Sequence, residues 1–214
     1  MNKLAAECLG TLFLVATVVG SGIMAEDLSG GNIGLALLAN TIATGAILYV
    51  IIAMFGPISG AHFNPVVSLV MATKGALRWP EAGGFIIAQI IGGILGAWLA
   101  HFMFGLDILQ YSMKARSGVN QYGSEVVASF GLLLTILLGV RYRAEAIPAM
   151  VGLYITAAYW FTASTSFANP AVTIARTLSD SFAGIHYGDT IPFILAQILG
   201  AYLALLVSRL LIRD

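Results

Sequence analysis

Six apolar runs dominate this 214-residue sequence, near 4–24, 33–55, 81–105, 124–141, 146–165 and 190–212. Each is close to the roughly 20 residues a helix needs to cross about 30 Å of hydrocarbon. Nothing else narrows the fold as far. A segment inside lipid must satisfy its backbone polar groups internally, and continuous runs of this length do so as helices. The composition agrees, since 59% of residues are hydrophobic and only 9% charged, too few to clothe a water-facing surface. Ten Lys+Arg against ten Asp+Glu give no net charge, which points to the lipid bilayer as partner and away from nucleic acid. Lys3 ahead of the first run suggests a signal peptide, but the run is long and carries Glu7 in its first turns, so it reads as a retained span. Cys8, the single cysteine, excludes an intrachain disulfide. Segments 26–32 and 107–123 read as loops and not linkers, so 1–214 is expected to form one domain.

Orientation follows from the cations. With the N-terminus inside, Lys3, Lys74, Arg78, Arg141, Arg143, Arg209 and Arg213 fall on the inner side, against Lys114, Arg116 and Arg176 outside. Seven of ten inside predicts a multi-pass protein with both termini cytoplasmic.

The chain also repeats itself. Glu7-Cys8-Leu9-Gly10-Thr11 recurs as Glu125-Val126-Val127-Ala128-Ser129, Asn64-Pro65-Val66 as Asn169-Pro170-Ala171, and Ala88-Gln89-Ile90-Ile91-Gly92 as Ala196-Gln197-Ile198-Leu199-Gly200. Each half, about 1–105 and 120–214, holds three spans. An odd number makes the second half enter the membrane from the opposite side, so the repeat is inverted and a site is expected at the interface of the halves near the midplane.

Each Asn-Pro follows a span and opens a short apolar stretch, ending near Thr73 in one half and Leu178 in the other. Asn is a favoured helix N-cap, and Pro suits the first helical position, where its missing N–H is no loss. Some ten residues make about 15 Å of helix, half a bilayer. Two re-entrant half-helices of an inverted repeat can meet with their N-termini facing. There the Asn64 and Asn169 carboxamides offer donors, while the carbonyls of Gly60, Ala61, His62 and Phe63 and of Thr165, Ser166, Phe167 and Ala168 offer a ladder of acceptors. A neutral hydroxylated solute can be passed along. A cation meets the positive ends of two helix dipoles.

The paired motifs SGAHFNPVVS and STSFANPAVT, the Glu at the head of each half and the six spans resemble the aquaporin and aquaglyceroporin family over essentially the whole chain. The resemblance implies an all-α membrane fold of six transmembrane helices plus two half-helices, a homotetramer with one pore per subunit, no cofactor, and Glu7 and Glu125 bracing the carbonyl ladders from behind.

The departures from that pattern bear on selectivity. The first motif reads Asn-Pro-Val, and the residue after the second is Val172 where the family usually has Arg; Arg176, one turn on, is not expected to reach the same spot. Family spacing puts the remaining filter positions at Thr44, Ala157 and Ser166. A filter of Thr44, Ala157, Ser166 and Val172 lacks both a cation and a bulky ring, which predicts a wide, weakly polar pore for water, glycerol- or urea-like solutes. The pattern resembles most a bacterial branch with Val at the Arg position that is associated with neutral arsenic species, which implies a bacterial plasma membrane. Alternatives are a strict water channel and a solute-coupled secondary transporter, although the Glu pair leaves few buried acids for a coupling ion. An enzyme is not expected, because the sequence holds neither a Gly-x-Ser-x-Gly elbow nor a His-Glu-x-x-His site. His62 either satisfies local backbone or gates by charge, Glu7 and Glu125 otherwise snorkel at an interface, and Tyr159 and Trp160 belong to an aromatic belt or to a vestibule.

Overall fold

The structure, a computed structural model, describes residues 2–212; Met1, Arg213 and Asp214 lie outside the described residues, and with them one cation of the orientation count. The helices in chain order are α1 (Asn2–Leu28), α2 (Ile33–Ser59), α3 (Pro65–Thr73), α4 (Trp79–Met103), α5 (Val119–Tyr142), α6 (Ile147–Phe161), α7 (Pro170–Arg176) and α8 (Thr190–Leu211). Single 3₁₀ turns, Ala144–Ala146 and Tyr187–Asp189, lead into α6 and α8. No strand occurs among the described residues.

The long helices sort into two groups that mirror the sequence repeat. In the first, α1 packs on α2 and α4; in the second, α5 packs on α6 and α8; α2 lies against α6 across the divide. Glycine makes the tightest of these contacts possible. A Cβ on Gly92 of α4 would stand 2.1 Å from the Cys8 carbonyl oxygen of α1, and one on Gly200 of α8 would stand 2.2 Å from that of Val126 on α5. Lipid tails are as apolar as leucine, so close backbone approach of this kind is what holds such helices together. The outward faces carry exposed Leu9, Phe13, Ile42, Ile87, Leu199 and Leu206, as expected of a surface against lipid.

Among the described residues five of the six expected spans are individually long and apolar enough to cross a membrane; the exception is α6. Its run was expected over 146–165, but the helix closes at Phe161 after 15 residues, about 22 Å, and the preceding 3₁₀ turn adds roughly 6 Å. Thr162 turns to extended backbone and begins the descent to Asn169. α5 starts at Val119, five residues ahead of the expected run, because its polar first turn finds partners: Gln121 Nε2 donates to Ala163 O at 3.1 Å, and the Tyr122 ring meets Phe193 edge-on at 6.1 Å. α1 likewise continues through Glu26 and Asp27 to Leu28.

The two short helices, α3 of nine residues and α7 of seven, are the half-length elements between the groups. They span about 13 and 10 Å. α3 ends at Thr73 as expected, while α7 stops at Arg176, two residues short of Leu178.

Candidate functional site

Asn64 and Asn169 cap α3 and α7 with extended backbone, and each side-chain oxygen accepts from its own first turn: Asn64 Oδ1 from Val66 N–H at 3.1 Å, Asn169 Oδ1 from Ala171 at 3.0 Å and Val172 at 3.3 Å. Accepting there fixes the carboxamide, so its nitrogen points beyond the helix tip. Asn64 Nδ2 donates to Ala168 O and Asn169 Nδ2 to Phe63 O, both at 2.8 Å. Each half-helix is thereby tied to the loop that feeds the other. An amide nitrogen has two hydrogens, so each Asn keeps one for the space beside it. Pro65, Val66, Pro170 and Ala171 are buried and pack away from that space.

The two loops have unusual backbones. Gly60, Ala61 and Phe63 in one and Thr165, Ser166 and Ala168 in the other take φ between +47° and +90°, the same three positions relative to each Asn. For a residue with a Cβ this left-handed geometry costs about 1–2 kcal/mol. Two carboxylates hold it. Glu7 is fully buried; its Oε1 accepts from Ser59 Oγ (2.6 Å) and His62 N–H (3.0 Å), and its Oε2 from Phe63 N–H (2.7 Å) and Gln89 Nε2 (2.8 Å). Glu125, equally buried, accepts from Phe167 N–H (2.9 Å), Ala168 N–H (2.8 Å) and Gln197 Nε2 (2.6 Å). With these N–H groups taken from behind, the loop carbonyls are what remains for the opposite side. The glutamines are anchored in turn, Gln89 Nε2 to Ser68 Oγ at 3.0 Å and Gln197 Nε2 to Thr173 Oγ1 at 2.9 Å. Gln89 and Gln197 stand in the sequence repeat, but no role could be read for them there, since nothing in the sequence says that a span's mid-helix amide faces a carboxylate on another span.

Beside the loops lies a cavity of about 240 Å³. Side chains at four-residue spacing, apolar except for the hydroxyls of Thr44 and Tyr159, make most of its wall: Thr44, Leu48 and Ile52 on α2, Leu132, Ile136 and Val140 on α5, and Ile147, Val151, Ile155 and Tyr159 on α6. Gly60, Ala61, His62, Phe63, Asn64, Phe167, Ala168 and Asn169 complete it at the level of the half-helix tips. Thr165 is half-buried and lies off this wall. His62 is held by Ser68 Oγ at 3.0 Å through Nδ1, with its ring edge-on to Phe85.

Of the four expected filter positions, Thr44, Ser166 and Val172 line the cavity and Ala157 does not. Ala157 is exposed on the outer side of α6, and Tyr159, 3% exposed, lines the cavity instead. The reason is helical phase: Ala157 sits two residues, about 200°, from both Ile155 and Tyr159. The Tyr159 hydroxyl lies 3.3 Å from Thr44 Oγ1, and the Ser166 hydroxyl, though buried, has no protein partner among the described residues. Arg176, one turn beyond Val172, reaches the cavity wall at its own level. It lines the same cavity as Val172, with its guanidinium carbon 3.4 Å from the centroid of the Phe167 ring and Nε donating to Ala183 O. The cavity wall therefore carries both a ring and a cation.

Two inverted half-bundles tied tip to tip beside a central cavity are the mark of a multi-pass membrane protein built around a passage. Residues 1–163 match the family described as Major intrinsic protein. The chain is 56% identical over 212 residues to "Aquaglyceroporin AqpS" of Rhizobium meliloti (strain 1021), covering 99% of this chain and 91% of that one, and 32% identical over 164 residues to "Aquaporin NIP1-1" of Arabidopsis thaliana, covering 72% and 54%. The fold is shared with the X-ray structure of the aquaglyceroporin from Plasmodium falciparum, at a TM-score of 0.76 and 17% identity over 98% of this chain and 96% of that one. The chain belongs to the major intrinsic protein (aquaporin) family.

Proposed function

We propose that this protein is a passive channel for small uncharged solutes, namely water, glycerol- and urea-like molecules and neutral arsenic species, with Asn64 and Asn169 at its centre and Thr44, Tyr159, Ser166 and Val172 at its narrow zone. The reading rests on one observation: a largely apolar cavity meets Asn64, Asn169 and the backbone of both feeding loops at the half-helix tips, beside two crossed Asn–carbonyl bonds. Such a wall replaces part of a neutral solute's hydration and repays little to a bare ion. Both buried carboxylates are fully engaged by backbone, hydroxyl and glutamine donors, which leaves neither free to carry a coupling ion and disfavours a secondary transporter. The chain acts as a homotetramer with both termini cytoplasmic.

A channel restricted to water is the second reading, and Tyr159 favours it, since a ring on the wall narrows the zone that Ala157 would have left wide. Light scattering from proteoliposomes separates the two. Shrinkage followed by re-swelling in glycerol, urea or arsenite supports the first; shrinkage without re-swelling, at a water rate above protein-free vesicles, supports the second; neither response rejects the channel.

A further inference from the structure

Three cations gather at the α7 end of the passage with no acid paired to any of them. Arg176 is 2% exposed, and among the described residues its side chain's only hydrogen-bond partner is Ala183 O, through Nε. Its two terminal nitrogens have no protein acceptor there, and the residue lines the cavity, so those N–H groups face the passage. Arg116, from the loop before α5, sets its guanidinium carbon 4.9 Å from the centroid of the same Phe167 ring and donates only to carbonyls: Gly184 at 2.8 Å, Ser164 at 3.3 Å and Phe182 at 3.4 Å. Lys114 Nζ donates to Phe182 O at 2.7 Å.

The nearby acids are committed to backbone. Asp180 accepts from Met113 N–H and Asp189 from Arg116 N–H. The ion pairs among the described residues are Lys3–Glu81 and Arg78–Glu81, on other elements. Glu125, held by its backbone and Gln197 donors, and Glu26 offset part of this charge from a distance, but none of the three cations is ion-paired where a solute passes Phe167, and a low-dielectric wall strengthens the remaining field.

We propose that Arg176, displaced one turn from the Val172 position and backed by Arg116 and Lys114, is the charge filter of this channel and excludes protons and metal cations. This rests on the channel reading above. Val172 leaves the narrow zone apolar, and the barrier stands one turn further along α7. The field comes from a side chain clamped on an aromatic face, which fixes the charge beside the passage instead of letting it swing into the lumen. Neutral solutes meet extra donors there and a cation meets repulsion. Size and charge are accordingly sorted at successive levels, by Thr44, Tyr159 and Val172 and then by Arg176.

The test uses the full chain in liposomes carrying an internal pH dye, with a potassium diffusion potential to drive protons, and glycerol re-swelling measured on the same vesicles. Wild type should hold proton flux near that of protein-free vesicles. Arg176→Gln should raise it by about tenfold or more, while Arg176→Lys should stay near wild type. The double variant V172R/R176V should bring the leak down again, because the charge is restored one turn away. A wild type that leaks as much as Arg176→Gln, or an Arg176→Gln protein that passes glycerol without added leak, overturns the proposal. If Arg176→Gln does not reconstitute, Arg116→Gln decides, since it leaves α7 untouched; it should raise the leak about threefold, and no rise counts against the filter. Loss of glycerol flux in the wild type would reject the channel reading itself, a different result from any of these.

Discussion

Replacing Glu125 by Gln isolates what the buried carboxylates do. The loop it braces holds Thr165, Ser166 and Ala168 in the left-handed region, a strain of about 3–6 kcal/mol in all at 1–2 per residue. Opposing it are three hydrogen bonds to the carboxylate, two from backbone and one from Gln197. Bonds to a charged acceptor contribute about 1.5–3 kcal/mol each, so strain and restraint are of similar size. Glutamine keeps one oxygen and puts an NH2 where the other was. Either placement sets that NH2 against a backbone N–H, Phe167 on one side or Ala168 on the other. The variant therefore loses at least one bond, gains a donor–donor contact and gives up charge assistance on the rest, a cost of about 3–5 kcal/mol. With the restraint gone the loop relaxes and its carbonyls leave the passage. The expected outcome is a protein that still inserts and assembles but passes water and glycerol at least about tenfold more slowly per channel, a barrier increase of about 1.4 kcal/mol, with a lower melting temperature in detergent. The assay is stopped-flow light scattering at matched protein density beside a thermal scan. Wild-type rates per channel with an unchanged melting point would refute the claim that Glu125 holds the loop.

Other outcomes follow from single contacts. Val172→Arg adds bulk and a third guanidinium near Phe167, and should cut glycerol flux more than water flux; equal loss of both would point to a folding defect. Gly92→Leu or Gly200→Leu drives a side chain into a carbonyl 2.1 or 2.2 Å from its first atom and should abolish monodisperse protein on size exclusion, whereas Gly83→Ala, with nothing within 4 Å, should behave as wild type. Lys114 is pulled down to about 8 by burial first and then by Arg116 and Arg176, with Glu26 pulling the other way. Its amine is largely neutral, and nucleophilic, above that pH, so amine-directed acylation near pH 8.5 should label Lys114 ahead of Lys3 and Lys74 by peptide mass spectrometry, and the rate of Lys114 labelling should fall by roughly twentyfold near pH 6.5, where its amine is protonated.

Much of this architecture can be read from residues alone, because its determinants are local. Apolar runs mark the spans, Asn-Pro marks a capped helix start, and recurrence of Glu, Asn-Pro and Gln marks the inversion. What escapes such a reading depends on geometry between segments. Family spacing puts a filter position at Ala157, but the stretch from Thr162 to Asn169 that separates it from Val172 is non-helical and contains three left-handed residues, so helical phase is not carried across it. The cavity-facing stripe within α6 itself, Ile147, Val151, Ile155 and Tyr159, holds the correct phase. Arg176 reaches the cavity because its long side chain lies on Phe167, a ring from the preceding loop that nothing in the spacing aims at α7. Arg116 comes from a loop some sixty residues earlier in the chain, and only the fold brings it to the same ring.

The crossed bonds from Asn64 to Ala168 and from Asn169 to Phe63 have a consequence for motion. Each repeat grips the other at the centre, so rocking one repeat against its mate would have to break both bonds at once. On the channel reading proposed above, the latch opposes alternating access and keeps the conduit static. Its permeation should climb only gently on warming, at the pace of liquid diffusion, without the steep temperature dependence of a carrier that must change shape in every cycle.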